Sequence, residues 1–119
     1  MDDSFITSGA ITLRPGSASV PYSFTFAAAS SATANDGSIP YDSTIIGAVV
    51  KAFDRSGTDR TSEMIVGTPV VASPVVTVSL KYPATTGVGL YSLEFVLTLS
   101  TGAVMEFDFT RVLATDITA

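Results

Sequence analysis

Three acidic side chains are the residues in this 119-residue chain whose types and spacing come closest to a catalytic pattern. Glu94, Glu106 and Asp108 fall at outward positions of two stretches that we predict to be paired strands, so they share one face. Two carboxylates on one face can divide general-acid and general-base work. A catalytic pair needs a cleft that perturbs its pKa values, and a sandwich face is seldom a cleft. We therefore interpret these acids as a solvated or contact surface.

A second group of oxygen ligands lies in Asp54–Asp59, which reads Asp-Arg-Ser-Gly-Thr-Asp. Calcium loops use such alternating ligands around a glycine, but this stretch lacks the bidentate Glu and the third carboxylate of an EF-hand loop. Asp, Ser and Gly also favour tight turns without any ion. A turn is the favoured interpretation, and a weak calcium site is the alternative. Asn35-Asp36-Gly37 is likewise predicted to be a turn.

Other catalytic systems lack their residues. The chain contains no His and no Cys, which excludes Ser-His-Asp and Cys-His nucleophiles and removes the usual zinc ligands. No Gly-rich phosphate loop ending in Lys-Ser or Lys-Thr is present. The sequence therefore predicts no enzyme, no catalytic, cofactor-binding or metal-binding residues, and no cofactor.

A carbohydrate-binding platform has few aromatic residues available, because the chain has no Trp and only four Tyr. Tyr41 and Tyr82 lie in predicted loops and are the candidates for stacking on a sugar ring. Tyrosine often buries its ring and leaves its hydroxyl in water. We expect both to pack onto the ends of the domain.

Charged residues are scarce, and most of them are acidic. Charged residues make up 14% of the chain, against about 25% in ordinary soluble domains. The net charge of −5, with the basic residues scattered, argues against nucleic-acid and anionic-membrane partners. Low charge is typical of surfaces covered by other proteins, although abundant Ser and Thr offer another way to cover a surface. The acidic start Met1–Phe5 does not resemble a secretory signal, and we expect synthesis in the cytoplasm.

The hydrophobic pattern has period two almost throughout, which predicts strands and no convincing helix. Leu90–Leu99 is the clearest strand. Ser100-Thr101-Gly102 then predicts a tight hairpin into a returning strand, Ala103–Val112. Val20–Ala27 also alternates. The inward positions of these three strands form the predicted core: Tyr22, Phe24, Phe26, Tyr91, Leu93, Phe95, Leu97, Met105, Phe107 and Phe109.

Further strands are predicted at Ala10–Arg14, Thr44–Phe53, Glu63–Val71 and Val75–Lys81. Between the first two of these regions, Ala28–Asp42 is predicted to be a long loop, with an alanine-containing helical turn as an equal alternative. The pairs Ile45-Ile46 and Val49-Val50 suggest burial on both faces of the second of these strands. Pro69 and Pro74 fit an edge strand or a crossing between sheets.

These elements predict an all-β fold, an immunoglobulin-like β-sandwich of about seven antiparallel strands. The domain covers residues 10–112, preceded by an N-terminal extension, 1–9, and followed by a C-terminal tail, 113–119. Gly89-Leu90-Tyr91-Ser92-Leu93 carries the most specific local signal. In such sandwiches a Tyr near the start of the sixth strand bonds through its hydroxyl to upstream backbone, with a core residue two positions later. Tyr91 and Leu93 match those positions.

Three segments carry a resemblance to a known family: Asp42-Ser-Thr-Ile-Ile-Gly-Ala-Val-Val, Ala84-Thr-Thr-Gly-Val-Gly-Leu-Tyr-Ser-Leu and Leu99-Ser-Thr-Gly-Ala-Val-Met-Glu-Phe-Asp-Phe. Over about residues 38–112 the chain resembles small immunoglobulin-like virion proteins of tailed bacteriophages, with the fiber–tail adaptor family as the nearest match. The resemblance implies a structural virion protein that joins tail or neck to fibers and contacts other virion proteins as a homo-oligomer. It implies no catalytic residues. A capsid decoration or cement protein of the same fold, and a module that binds glycan or protein on the host surface, remain alternatives.

Overall fold

The computed structural model describes residues 11–16 and 18–115. The predicted extension at 1–9 lies outside the described residues, as do residues 116–119 of the predicted tail. The elements in chain order are β1 (Ile11–Leu13), β2 (Val20–Thr25), β3 (Ile45–Phe53), α1 (Thr61–Met64), β4 (Ile65–Ala72), β5 (Val75–Leu80), β6 (Gly89–Leu99) and β7 (Val104–Ala114). The last strand therefore runs two residues beyond Val112.

The seven strands form two sheets. Sheet I has the order β1-β7-β6-β3, and sheet II has the order β2-β5-β4. This arrangement is the immunoglobulin-like all-β sandwich that the sequence predicts. One pairing differs from the expected antiparallel pattern, because β1 runs parallel to β7, with Ile11 opposite Val112. No hairpin joins these two strands, so chain connectivity does not require them to be antiparallel.

Alternation along β6 places one side of the strand in the core. Tyr91, Leu93, Phe95, Leu97 and Leu99 are all buried, and the residues between them are partly exposed. Strand β5 of sheet II shows the same pattern, with its inward side chains fully buried at Val76, Val78 and Leu80. The inward faces of the two sheets therefore form one hydrophobic core.

Aromatic rings join the two sheets across this core. The Phe24 ring lies 4.7 Å from that of Phe95 and 5.4 Å from that of Phe109, measured between centroids. The Phe26 ring lies 5.3 Å from Phe95 and 5.0 Å from Phe107. Aromatic pairs at these distances add about 0.5–1.5 kcal/mol beyond the area they bury.

The ten residues predicted as core all contribute to it, to different extents. Seven are buried: Phe24, Phe26, Tyr91, Leu93, Phe95, Leu97 and Phe109. The other three are partly buried and pack against the buried cluster: Tyr22, Met105 and Phe107.

The prediction that β3 is buried on both faces, which came from its apolar pairs, is wrong. Ile46 is 63% exposed and Val49 is 56% exposed, whereas Ile45 and Val50 are buried. Strand β3 is an edge of sheet I, and its register against β6 shifts between Ile45 and Gly47. The register shift changes the in–out phase of the strand, so Ile45 and Val50, which are five residues apart, both face the core without a second buried face.

The prediction of a strand from Glu63 is also wrong at its start, because Thr61–Met64 forms a helical turn before β4. The Asp59 carboxylate accepts a hydrogen bond from the Thr61 backbone N–H at 2.8 Å. The Met64 N–H then bonds to the Arg60 carbonyl, and the Met64 side chain is fully buried. Local side-chain hydrogen bonding of this kind competes with an extended backbone.

The two prolines lie at different kinds of position. Pro69 is in β4, the edge strand of sheet II, within the register shift between Val66 and Val70. The edge-strand prediction is confirmed for Pro69. Pro74 lies in the β4–β5 turn, where its carbonyl accepts a hydrogen bond from the Phe26 N–H at 2.7 Å.

The loop between β2 and β3 has ordered contacts with the core. Ile39 is buried and pairs in a short bridge with Ala28. Gly37 passes so close to the backbone that a Cβ there would lie 2.2 Å from the nitrogen of Ala29, so only glycine fits. Asp36 accepts hydrogen bonds from the backbone N–H and the hydroxyl of Ser30, and these bonds lower its pKa.

The predicted β6–β7 hairpin turn at Ser100–Gly102 is confirmed. Gly102 has a φ of 90°, and its N–H bonds to the Leu99 carbonyl at 2.9 Å. This backbone region favours glycine, because a Cβ is disfavoured there.

Candidate functional site

The predicted Tyr91 corner is confirmed. The Tyr91 hydroxyl donates a hydrogen bond to the Gly87 carbonyl at 2.6 Å, and Tyr91 is only 3% exposed. Leu93, two positions later, is fully buried. Burial raises the pKa of the Tyr91 hydroxyl. The bond ties the β5–β6 loop to the start of β6, which is a structural role.

The Asp54–Asp59 stretch forms a turn held by the carboxylate of Asp54. One oxygen accepts hydrogen bonds from the Ser56 N–H, the Ser56 hydroxyl and the Thr58 N–H. The other accepts from the Arg60 Nε at 2.9 Å. These bonds, that of the Ser56 hydroxyl first, hold the pKa of Asp54 well below its usual range. Both carboxylate oxygens therefore already interact with donors of the protein.

Arg60 connects this turn to a loop at the same end of the sandwich. Its guanidinium bonds to Asp54 at 2.9 Å and to Glu63 at 3.3 Å. Glu63 also accepts hydrogen bonds from the N–H and the hydroxyl of Thr86 in the β5–β6 loop. Burial opposes the charge of Glu63, but the Thr86 and Arg60 contacts outweigh it and lower the pKa of Glu63.

This network clamps the β3–α1 turn to the loop that contains Gly87, the acceptor of the Tyr91 bond. Asp59, the other acid of the Asp54–Asp59 stretch, accepts hydrogen bonds from the Thr61 N–H and hydroxyl, and these bonds lower the pKa of Asp59. Within residues 11–16 and 18–115, no group of three or more His, Cys, Asp or Glu side chains is placed to hold a metal ion. The chemistry of this cluster is that of a hydrogen-bonded structural clamp.

The outward acids lie together on sheet I. Glu94 of β6 is directly opposite Asp108 of β7, and Lys51 of β3 is opposite Glu94 on its other side. Glu106 is opposite Val96, which lies two residues along β6 from Glu94. We call Lys51, Glu94, Glu106 and Asp108 the charged face. These acids lie on the outer surface of a sheet, where they can face solvent or a basic partner.

Sheet II has an outer face of the opposite kind. Its outward residues form three rows across β2, β5 and β4: Pro21–Ser79–Val66, Ser23–Thr77–Val70 and Thr25–Val75–Ala72. We call these nine residues the neutral face. Val70 is 62% exposed, and the hydroxyls of Ser23 and Thr77 bond to each other at 3.0 Å. None of its side chains is charged or aromatic.

The neutral face is not predicted from the sequence. A signal was available, because the residues of β2, β4 and β5 include no Asp, Glu, Lys or Arg. The pattern acquires meaning only when these three strands are known to be neighbours in one sheet.

The two loop tyrosines are placed differently. Tyr82 is partly buried and packs against the core, as expected. It lines an open groove of about 590 Å³ with Pro15, Glu63 and Lys81. Tyr41 is 51% exposed, so the expectation that it packs onto the sandwich is wrong. Its loop position leaves about half of its surface in solvent.

The fold and surfaces define an immunoglobulin-like β-sandwich with one charged and one neutral outer face. No protein-family model matches the chain, and neither a curated protein nor a solved structure matches it. In the described part of the chain, no helix has the length and apolar character needed to cross a membrane.

Proposed function

We propose that this chain is a non-enzymatic structural component of a tailed-bacteriophage virion. It acts as an adaptor between the tail or neck and the fibers, through protein–protein contacts. The observation that carries the proposal is the uncharged outer face of sheet II, because interface cores are depleted in charged residues. The virion setting rests on the family resemblance of residues 38–112.

The resemblance and the fold involve the same part of the molecule. The three segments that resemble the adaptor family contribute β3, β6 and β7, which are neighbouring strands of sheet I. The Tyr91 corner and the Gly102 turn lie within those segments. The likeness therefore covers a contiguous set of strands.

Exposed apolar side chains on sheet I add further contact surface. Val49 is 56% exposed and lies opposite Val96, while Val104 is 60% exposed on β7. Single exposed apolar residues are ordinary, but several on the same outer face favour contact with other proteins. In a virion, many copies of one chain are arranged by symmetry, and such contacts repeat.

Mass spectrometry of purified virions of the phage that encodes this chain tests the proposal. Peptides of the chain are expected at a fixed ratio to those of known tail proteins. A phage enzyme made in the same cells but not packaged serves as the control for contamination. Absence of the chain from purified particles would contradict the proposal.

Averaged images of the particle then separate the adaptor from its alternative. Density for the sandwich at the neck or at the base of the fibers supports the adaptor role. Density on the head lattice instead identifies a decoration or cement protein and overturns the adaptor role.

A further inference from the structure

The strands of sheet II contain no charged residue, whereas sheet I carries all the charged residues that lie in the described strands. The charged residues in the strands of sheet I are Lys51, Glu94, Glu106, Asp108 and Arg111. Both sheets have an outer face, so a need for water contact alone does not account for this difference. Depletion of charge on one face is typical of surfaces that another protein covers.

The edges of sheet II are poorly suited to pairing with another strand. Pro21 lies in β2 and Pro69 lies in β4, and these are the two outer strands of the sheet. Proline has no N–H to donate to a neighbouring strand. The register shift between Val66 and Val70 further disrupts the β4 edge. A partner of sheet II would therefore contact its outer face rather than its edges.

We propose that the neutral face packs against the neutral face of a second copy of this chain, about a two-fold axis. This inference deepens the proposed function and rests on its claim that the chain works through protein contacts. Charge determines which face a second copy can use. Each copy carries a net charge of −5, and contact through the neutral face avoids bringing the acids of the charged face together.

Shape also favours a second copy. No side chain of the neutral face is larger than valine, so the face has no aromatic or arginine anchor of the kind that fills a pocket in a different protein. An even layer of small side chains is complementary to an identical layer. Two sheets packed in this way lie about 10 Å apart, as in the interior of a sandwich.

The size of the face sets the expected strength. Three strands about 4.8 Å apart, each about six residues long at about 3.3 Å per residue, span roughly 300 Å². Stable complexes bury about 800 Å² per partner, so free association is expected to be weak and reversible. In an assembly, neighbouring copies are held at effective concentrations in the millimolar range, where a weak contact forms.

A pair of matched lysine variants tests the proposal. Val70→Lys changes the neutral face, and Val104→Lys changes the outer face of sheet I at a residue of the same type and nearly equal exposure, 62% against 60%. Sedimentation of the full chain up to about 1 mM is expected to show a dimer. Val70→Lys is expected to raise the dissociation constant of the dimer at least about tenfold, because two unpaired lysines enter the interface. Val104→Lys is expected to change the dissociation constant less than about twofold.

Concentration-dependent amide shifts in the unmodified protein provide a second measurement that needs no variant. Shifts concentrated in β2, β4 and β5 support the proposal. A monomer at every concentration, or equal weakening by both variants, would overturn it. Concentration-independent nuclear Overhauser contacts between residues 1–10 and the neutral face would also overturn it, since they assign the face to the N-terminal segment. Particle composition tests the virion role separately, so either idea can fail without the other.

Discussion

The two sheets of this sandwich enclose one core, and their outer faces have opposite surface chemistry. On sheet I, Glu94 and Asp108 lie opposite each other, with Lys51 beside them. On sheet II, the central row is Ser23–Thr77–Val70, without a charge. The low overall charge of the chain is therefore unevenly distributed. Inward alternation specifies the sandwich for both sheets, and the outer residues, which the fold does not constrain, distinguish the two faces.

We expect the two sheets to unfold as one cooperative unit, and a substitution at Phe95 tests this most strongly. Its ring in sheet I contacts Phe24 and Phe26. Phe95→Ala is expected to lower the free energy of unfolding by about 3–5 kcal/mol, because it leaves a cavity between the sheets. Urea unfolding followed by circular dichroism and by tyrosine fluorescence measures the loss.

Val96→Ala is the control for this change, because Val96 is the outward neighbour of Phe95 and is only partly buried. A cost below about 1 kcal/mol is expected there. Two separate unfolding transitions in Phe95→Ala would show that the sheets are not one unit, and the comparison of their faces would then lose its basis.

The Tyr91 corner orders one end of sheet I and has no counterpart in the strands of sheet II. Tyr91→Phe removes the hydroxyl that bonds to the Gly87 carbonyl and leaves that acceptor without its donor. The expected loss of stability is about 1–2 kcal/mol. Tyr41→Phe, which removes the same hydroxyl from a half-exposed ring, is the matched control and should change the urea midpoint little. Equal effects of the two variants would contradict the structural role of the corner.

The sequence predicts the later part of sheet I well because its information there is local. Apolar residues alternate without a break on the inward side of β6, and Gly102 marks the turn into β7. The Tyr91 bond spans four residues, so a short motif contains it.

What the sequence could not predict depends on contacts between distant segments. The parallel pairing of β1 with β7 joins the two ends of the described chain. The helical turn before β4 is held partly by the Thr61 hydroxyl, which accepts a hydrogen bond from the Ala52 N–H across the β3–α1 turn. The neutral face requires knowledge that β2, β5 and β4 are neighbours, because each strand alone has an ordinary composition.

Acid should weaken the Asp54 clamp at one end of the sandwich. The pKa of folded Asp54 lies below its ordinary value of 3.8, so the unfolded chain binds the proton more tightly. The stabilisation is therefore complete above about pH 4 and is lost as pH falls through the folded pKa. Asp54→Asn is expected to be less stable than the unmodified protein at pH 7. The gap between the urea midpoints of the two proteins is expected to narrow towards pH 2. Urea midpoints at pH 7, 4 and 2.5 measure that gap.

Asp42→Asn controls for this experiment, since it removes the same charge from an exposed loop residue. A gap for Asp54→Asn that is as wide at pH 2.5 as at pH 7 would contradict the clamp. It would show that the hydrogen bonds of Asp54 do not depend on its charge.

The smallest expected effect tests the charged face itself. Asp108→Lys replaces a like-charge pair with an opposite-charge pair across from Glu94, and such cross-strand pairs contribute about 0.2–1 kcal/mol. The stability gain should shrink in about 1 M salt, which screens exposed charges. Val70→Lys introduces the same side chain on the neutral face, where its neighbour across the ladder is Thr77. At protein concentrations too low for association, we expect neither gain nor salt dependence there. If both lysines changed stability equally, and equally in high salt, the two faces would not differ electrostatically, and charge would no longer indicate which face is covered.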